Sequence, residues 1–106
     1  MKKKFLFQKI VAIKKKSLVV VGVLLLLLIA CSTESSEMEY LVKGNQYHYQ
    51  GLYYSAIDEY TKMIEVKSNN HVGYYNRGLS YFYLKEYEKA FEDFKTADDL
   101  KQKFNN

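Results

Sequence analysis

The sequence predicts an all-α protein, with two helix-turn-helix units stacking into a short superhelix behind a distinct N-terminal segment. Three observations predict it. From residue 37 onward apolar residues recur at three- and four-residue spacings, the period of one helix face. The same stretch repeats itself at a spacing of 34 residues, the scale of a supersecondary unit. Proline is absent and only 5 of 106 residues are glycine, which excludes a loop-rich or collagen-like chain. An apolar content of 48% argues against disorder throughout.

Charge divides the chain in two. Residues 1–30 hold 7 of the 16 basic residues and no acidic one. Residues 31–106 hold the other 9 basic residues against all 12 acidic ones, a balance of −3. The basic excess is therefore local to the N-terminus. The remainder carries no general attraction for nucleic acid.

The first element is an address rather than a fold. Lys2, Lys3, Lys4, Lys9, Lys14, Lys15 and Lys16 precede an uncharged apolar run from Leu18 to Ala30. The chain then turns polar at Ser32-Thr33-Glu34-Ser35-Ser36. A basic segment, a short apolar core and a small residue at the break read as a secretory signal peptide over 1–30. Such a run rises about 20 Å as a helix, short of the ~30 Å hydrocarbon slab, so a permanent spanning helix is the weaker reading. Residues 31–36 read as a short polar linker.

At the break, Leu28-Ile29-Ala30-Cys31 resembles the lipobox of bacterial lipoproteins. The resemblance implies that the Cys31 thiol receives a diacylglycerol, that the bond between Ala30 and Cys31 is cut, and that Cys31 becomes an acylated N-terminus carrying palmitate-type chains. It is the only cysteine, so no internal disulfide can form. The implied location is exported and membrane-anchored. That means the outer membrane in a diderm cell, since Ser32 rather than Asp follows the cysteine, and otherwise the outer face of the cell membrane.

Four helices follow, with expected spans 37–50, 54–67, 71–84 and 88–102. Ser36 and Glu39 make a capping box for the first, and Asn70 is the expected N-cap of the third. Tight turns fall at Gly51-Leu52-Tyr53 and Lys85-Glu86-Tyr87. A shift of 34 places Tyr40 on Tyr74, Gly44 on Gly78, Tyr47 on Tyr81, Tyr49 on Tyr83, Tyr53 on Tyr87, Ala56 on Ala90 and Lys67 on Lys101. Phe91, Phe94, Ala97 and Leu100 form the expected inward face of the last helix.

These blocks, 37–70 and 71–104, resemble the tetratricopeptide repeat. The family's small and aromatic positions are met by Tyr40, Gly44, Tyr47, Ala56 and Tyr60, then by Tyr74, Gly78, Tyr81, Ala90, Phe94 and Ala97. Met63 is larger than the pattern prefers, and the usual proline is Ser68 and then Gln102. The resemblance implies a concave partner groove lined by Met38, Leu41, Asn45, His48 and Tyr49, then by Val72, Tyr75, Leu79, Phe82 and Tyr83. Asn45 and Asn76 match asparagines of the carboxylate clamp found in some members. Leu41 stands where that clamp needs lysine, so a clamp is not expected.

The expected function is protein–protein interaction at an envelope membrane, as an adaptor or in assembly. The alternative is a self-associating structural lipoprotein, or a shortened piece of a longer array. No phosphate loop, HExxH, CxxC or catalytic triad ordering occurs. No enzyme, catalytic residue, cofactor or metal is therefore expected. His48 and His71 read as surface or groove residues, and Glu86, Glu88, Glu92 and Asp93 as solvated helix faces. A core of this size supplies only about 3–5 kcal/mol. Repeat arrays also need covered ends. Residues 32–106 are thus expected to self-associate, most simply as a two-fold homodimer, or to bind a partner through the second repeat.

Overall fold

The structure, a computed structural model, describes residues 2–106, and the side chains of all of these except residues 2, 5, 7 and 32–35. Four helices account for it: α1 (Lys2–Tyr49), α2 (Tyr53–Val66), α3 (His71–Tyr83) and α4 (Tyr87–Asn105). No strand occurs among the described residues. The chain divides into an N-terminal unit ending at Thr33 and a second unit, Glu34–Asn106.

In the N-terminal unit, no side chain between Leu18 and Ala30 is buried. Among the described residues one helix is long and apolar enough to cross a membrane, and it contains this run. The stretch expected as a linker, 31–36, is helical and part of α1. The capping box at Ser36 is accordingly corrected, because Ser36 lies inside a helix and cannot be its N-cap. The physical reason is the absence of a stop. No proline or glycine occurs between Ala30 and Lys43, and one helical turn propagates easily onto the next.

The second unit consists of two α-hairpins. The α1 segment from Glu37 pairs with α2, and α3 pairs with α4. Both hairpins turn in the same way. Gly51 N–H donates to the His48 carbonyl and Leu52 N–H to that of Tyr47. One repeat later, Lys85 N–H donates to Phe82 and Glu86 N–H to Tyr81. This is the Schellman arrangement, which needs a left-handed residue just past the helix. Gly51 takes it at φ 77° and Lys85 at φ 63°. Between the hairpins, the Asn70 side chain accepts from Val72 N–H at 3.0 Å and caps α3, as its residue type predicts.

Close approach within each hairpin occurs at the expected glycines. A Cβ at Gly44 would stand 2.4 Å from the Tyr60 ring, and one at Gly78 would stand 2.9 Å from the Phe94 ring. Ala56, Ile57, Tyr60, Met63 and Ile64 of α2 form the core with Ala90 and Ala97 of α4. Two expectations for α4 are corrected. Phe91 is exposed rather than inward, because no further helix lies over that face of α4 among the described residues. Asp93 is buried rather than solvated, because it forms a bidentate pair with Arg77 at 2.8 Å through both carboxylate oxygens. Arg77 also donates to Thr61 of α2 at 3.2 Å, so one guanidinium ties three helices together. That hydrogen-bonded carboxylate raises the Arg77 pKa further above its already high ordinary value.

Candidate functional site: the first-helix face

The expected groove residues all lie on α1 and α3, and the structure sorts eight of them into three recesses. Asn45, His48, Tyr49 and Leu79 converge on one small recess of about 110 Å³, which Tyr60 and Asn76 complete. Leu41 and Met38 line a second recess of about 350 Å³, with Val72 on its far wall. Tyr75 lines a third, beside Phe94 and Ala97. Phe82 turns toward α4, its ring 5.5 Å from Tyr87, and meets Tyr83 edge-on at 6.2 Å.

The first recess is where the two hairpins meet, and two side-chain hydrogen bonds cross it. Tyr60 donates its hydroxyl to Asn45 Oδ1 at 2.7 Å, reaching across the first hairpin from α2. His48 Nδ1 lies 2.9 Å from Ser80 Oγ, joining α1 to α3. Ser80 also donates to the Asn76 carbonyl at 3.3 Å. Burial lowers the His48 pKa below its ordinary value and pushes the Tyr60 hydroxyl up to about 12. Both groups are therefore neutral at pH 7 and act as hydrogen-bonding, not charged, members of the face.

Around His48 the rings form a continuous array. Tyr53 stacks on Tyr83 at 5.2 Å with 10° between the planes. His48 stands edge-on to both, at 5.2 and 5.3 Å. Tyr49 leaves 88% of its surface open beside them. Sequence reasoning missed Ser80 and Tyr53, because the 34-residue register reports positions within a hairpin and not contacts between hairpins. The Arg77–Asp93 pair was missed for a related reason, since carboxylates in a charged run read as solvent-facing unless a partner helix is known.

A His–Ser contact at 2.9 Å invites a catalytic reading, and the geometry refuses it. Ser80 is 0% exposed, so no substrate can reach its oxygen. Among the described residues, no group of three His, Cys, Asp or Glu side chains could hold a metal ion.

The architecture so defined is that of a helical-hairpin repeat protein, with an aromatic, largely uncharged face. Comparison with known proteins agrees. Residues 71–97 match the tetratricopeptide repeat family, so α3 and most of α4 form a repeat of that kind. The first hairpin is like it in the shared 34-residue register and in the same turn geometry. No curated protein matches the chain. Tetratricopeptide repeats are scaffolds that bind other proteins, and function lies in the surface they present.

Proposed function

We propose that this is a lipid-anchored protein of a bacterial envelope whose repeat pair binds a protein partner through the α1–α3 face. The observation that carries the binding reading is the composition of that face. Tyr49, Tyr75, Phe82 and Tyr83 stand more than half exposed beside a neutral, hydrogen-bonded floor. Tyr49 and Tyr83 border the His48 ring, and exposed aromatics along one helix face suit an apolar helix or extended segment of a partner. The reading involves no catalysis, cofactor or nucleic acid.

The anchor rests on the Leu28-Ile29-Ala30-Cys31 motif and on an apolar run that no protein side chain covers in its own unit. Two or more acyl chains at Cys31 hold a protein firmly, because each buried methylene contributes about 0.8 kcal/mol. A homodimer through the second repeat is the second reading, favoured by the exposure of Phe91 and Phe104 on α4.

Photo-crosslinking in the native membrane tests the face. A crosslinking residue at Tyr49 or Tyr83 should yield one discrete product, and one at Glu65, exposed on α2, should yield none. Equal yields from both positions would sink the proposal.

A further inference from the structure

The recess between the hairpins holds two polar atoms that the fold orients and leaves unused. Ser80 has one hydroxyl hydrogen and donates it to the Asn76 carbonyl. Its oxygen therefore accepts from His48 Nδ1, 2.9 Å away, which places the imidazole proton on Nδ1. A neutral ring carries a single N–H, and His48 is neutral at pH 7 because burial lowers its pKa. Nε2 is left as a bare acceptor. One turn earlier on α1, the Tyr60 hydroxyl donates to Asn45 Oδ1, which fixes that amide and leaves its Nδ2 hydrogens free. Neither Nε2 nor Nδ2 has a hydrogen-bond partner among the described residues. No buried side-chain nitrogen or oxygen there lacks a partner, so both atoms are open to solvent.

We infer that His48 and Asn45 recognise the backbone of an extended, uncharged segment of the partner, with His48 Nε2 accepting from the N–H of one residue and Asn45 Nδ2 donating to its carbonyl. This rests on the α1–α3 face being the partner site, and narrows its occupant from any apolar segment to an extended one. Both side chains line the same recess, and residues three apart on a helix stand about 5–6 Å apart at Cβ. The face thus presents an acceptor beside a donor. No formal charge accompanies them, since their neighbours are Tyr49, Tyr53, Tyr60, Leu79, Ser80 and Tyr83. A charged side chain seated here would lose water and gain no counter-charge.

Complementarity of partial charge decides the conformation of the occupant. In a helix interior each N–H is already donated to the carbonyl four residues back. The first turn of a helix frees N–H groups but not carbonyls, and the last turn does the reverse. A partner helix laid on this recess would therefore cover Nε2 and Nδ2 without satisfying both, and a covered, unpaired polar group is costly. In an extended segment the N–H and C=O of one residue point to the same side, where they can pair with a facing donor and acceptor together. His48 is on this account a specificity-determining residue, and Ser80 is the positioning residue that sets its tautomer.

The test has two arms, and the first needs no variant at His48. Nitrogen NMR of the full chain in detergent micelles, with isotope-labelled histidine and His71→Gln for assignment, should place the His48 proton on Nδ1 at pH 7.5. A proton on Nε2 would overturn the inference, because the acceptor would be gone. The second arm takes the segment captured from native membranes by a photo-crosslinker at Tyr49, made as a synthetic peptide, and replaces its backbone N–H groups one at a time by ester oxygens. One replacement should weaken binding roughly tenfold, as expected for a single hydrogen bond. The same replacement should have no such effect on a chain carrying His48→Phe, which keeps a ring beside Tyr53 and Tyr83. Equal tolerance at every position, a loss identical in both chains, or a peptide that binds as a helix would overturn the inference and leave the face standing as a partner site. Capture of a segment of this same chain would overturn it too. Failure to capture any discrete product would remove the partner site and the inference together.

Discussion

Glycine and lysine occupy the same place in the two turns, and the difference is measurable. Lys85 adopts φ 63° where the first hairpin has Gly51 at φ 77°, and a left-handed non-glycine residue costs about 1–2 kcal/mol. Lys85→Gly should recover part of this, about 0.5–1 kcal/mol after the greater chain entropy of glycine is counted. Thermal unfolding followed by near-UV circular dichroism reports it, because all 11 tyrosines lie beyond residue 39. At Gly78 the effect has the opposite sign. Gly78→Leu drives bulk into the Phe94 ring and the Asp93 Cβ, and overpacking of this kind costs about 1–3 kcal/mol. An unchanged melt would mean that α3 and α4 are not packed as described. Asp93→Ala strands a guanidinium whose side chain is 20% exposed. Removing one partner of a fully buried pair costs about 3–5 kcal/mol, and this partial access to water brings the expected loss to about 2–3 kcal/mol.

At the scale of elements, the contact between hairpins is pH-sensitive through His48. Its folded pKa is lowered by burial, so below the ordinary histidine value of about 6.5 the unfolded chain binds more protons than the folded one. Stability is thus whole above that value and declines as the pH falls through it toward the lower folded pKa. Ser80, Tyr49, Tyr53 and Tyr83 surround the ring, and none of these supplies a carboxylate to hold an added proton. Melting points compared between pH 7.5 and 5.5 should fall for the natural chain and fall less for His48→Gln. An identical slope in both proteins would remove His48 from the account.

For the whole molecule, membrane attachment is predicted to depend on a single thiol. Cys31 is exposed and follows the motif at which processing is proposed. Cys31→Ser should leave a larger, unlipidated precursor on a denaturing gel, with no acyl label. A product of normal size that still partitions into detergent would exclude acylation and leave the apolar helix itself as the anchor. This outcome leaves the partner face untouched, because that face is built wholly from residues of the Glu34–Asn106 unit.

Much of this was legible in the residues alone. The all-helical class, the two hairpins, the Asn70 cap, and the close approach at Gly44 and Gly78 follow from helical periodicity and from steric needs that act within one hairpin. Such needs leave a local signature, because residues three, four or thirty-four apart carry them. The tertiary structure decided what depends on neighbours. Asp93 is a buried partner only because Arg77 of the adjacent helix reaches it, and Ser80 meets His48 only where two hairpins touch. Phe91 is open although its counterpart Ile57 is buried. The start of the first helix belongs to the same group, since a cap at Ser36 was locally reasonable and continuous helix from the preceding residues overrode it. The sequence by itself determined each hairpin, because its contacts are short-range and periodic. Only the tertiary structure decided which faces are covered, because burial depends on the helix that arrives from elsewhere in the chain.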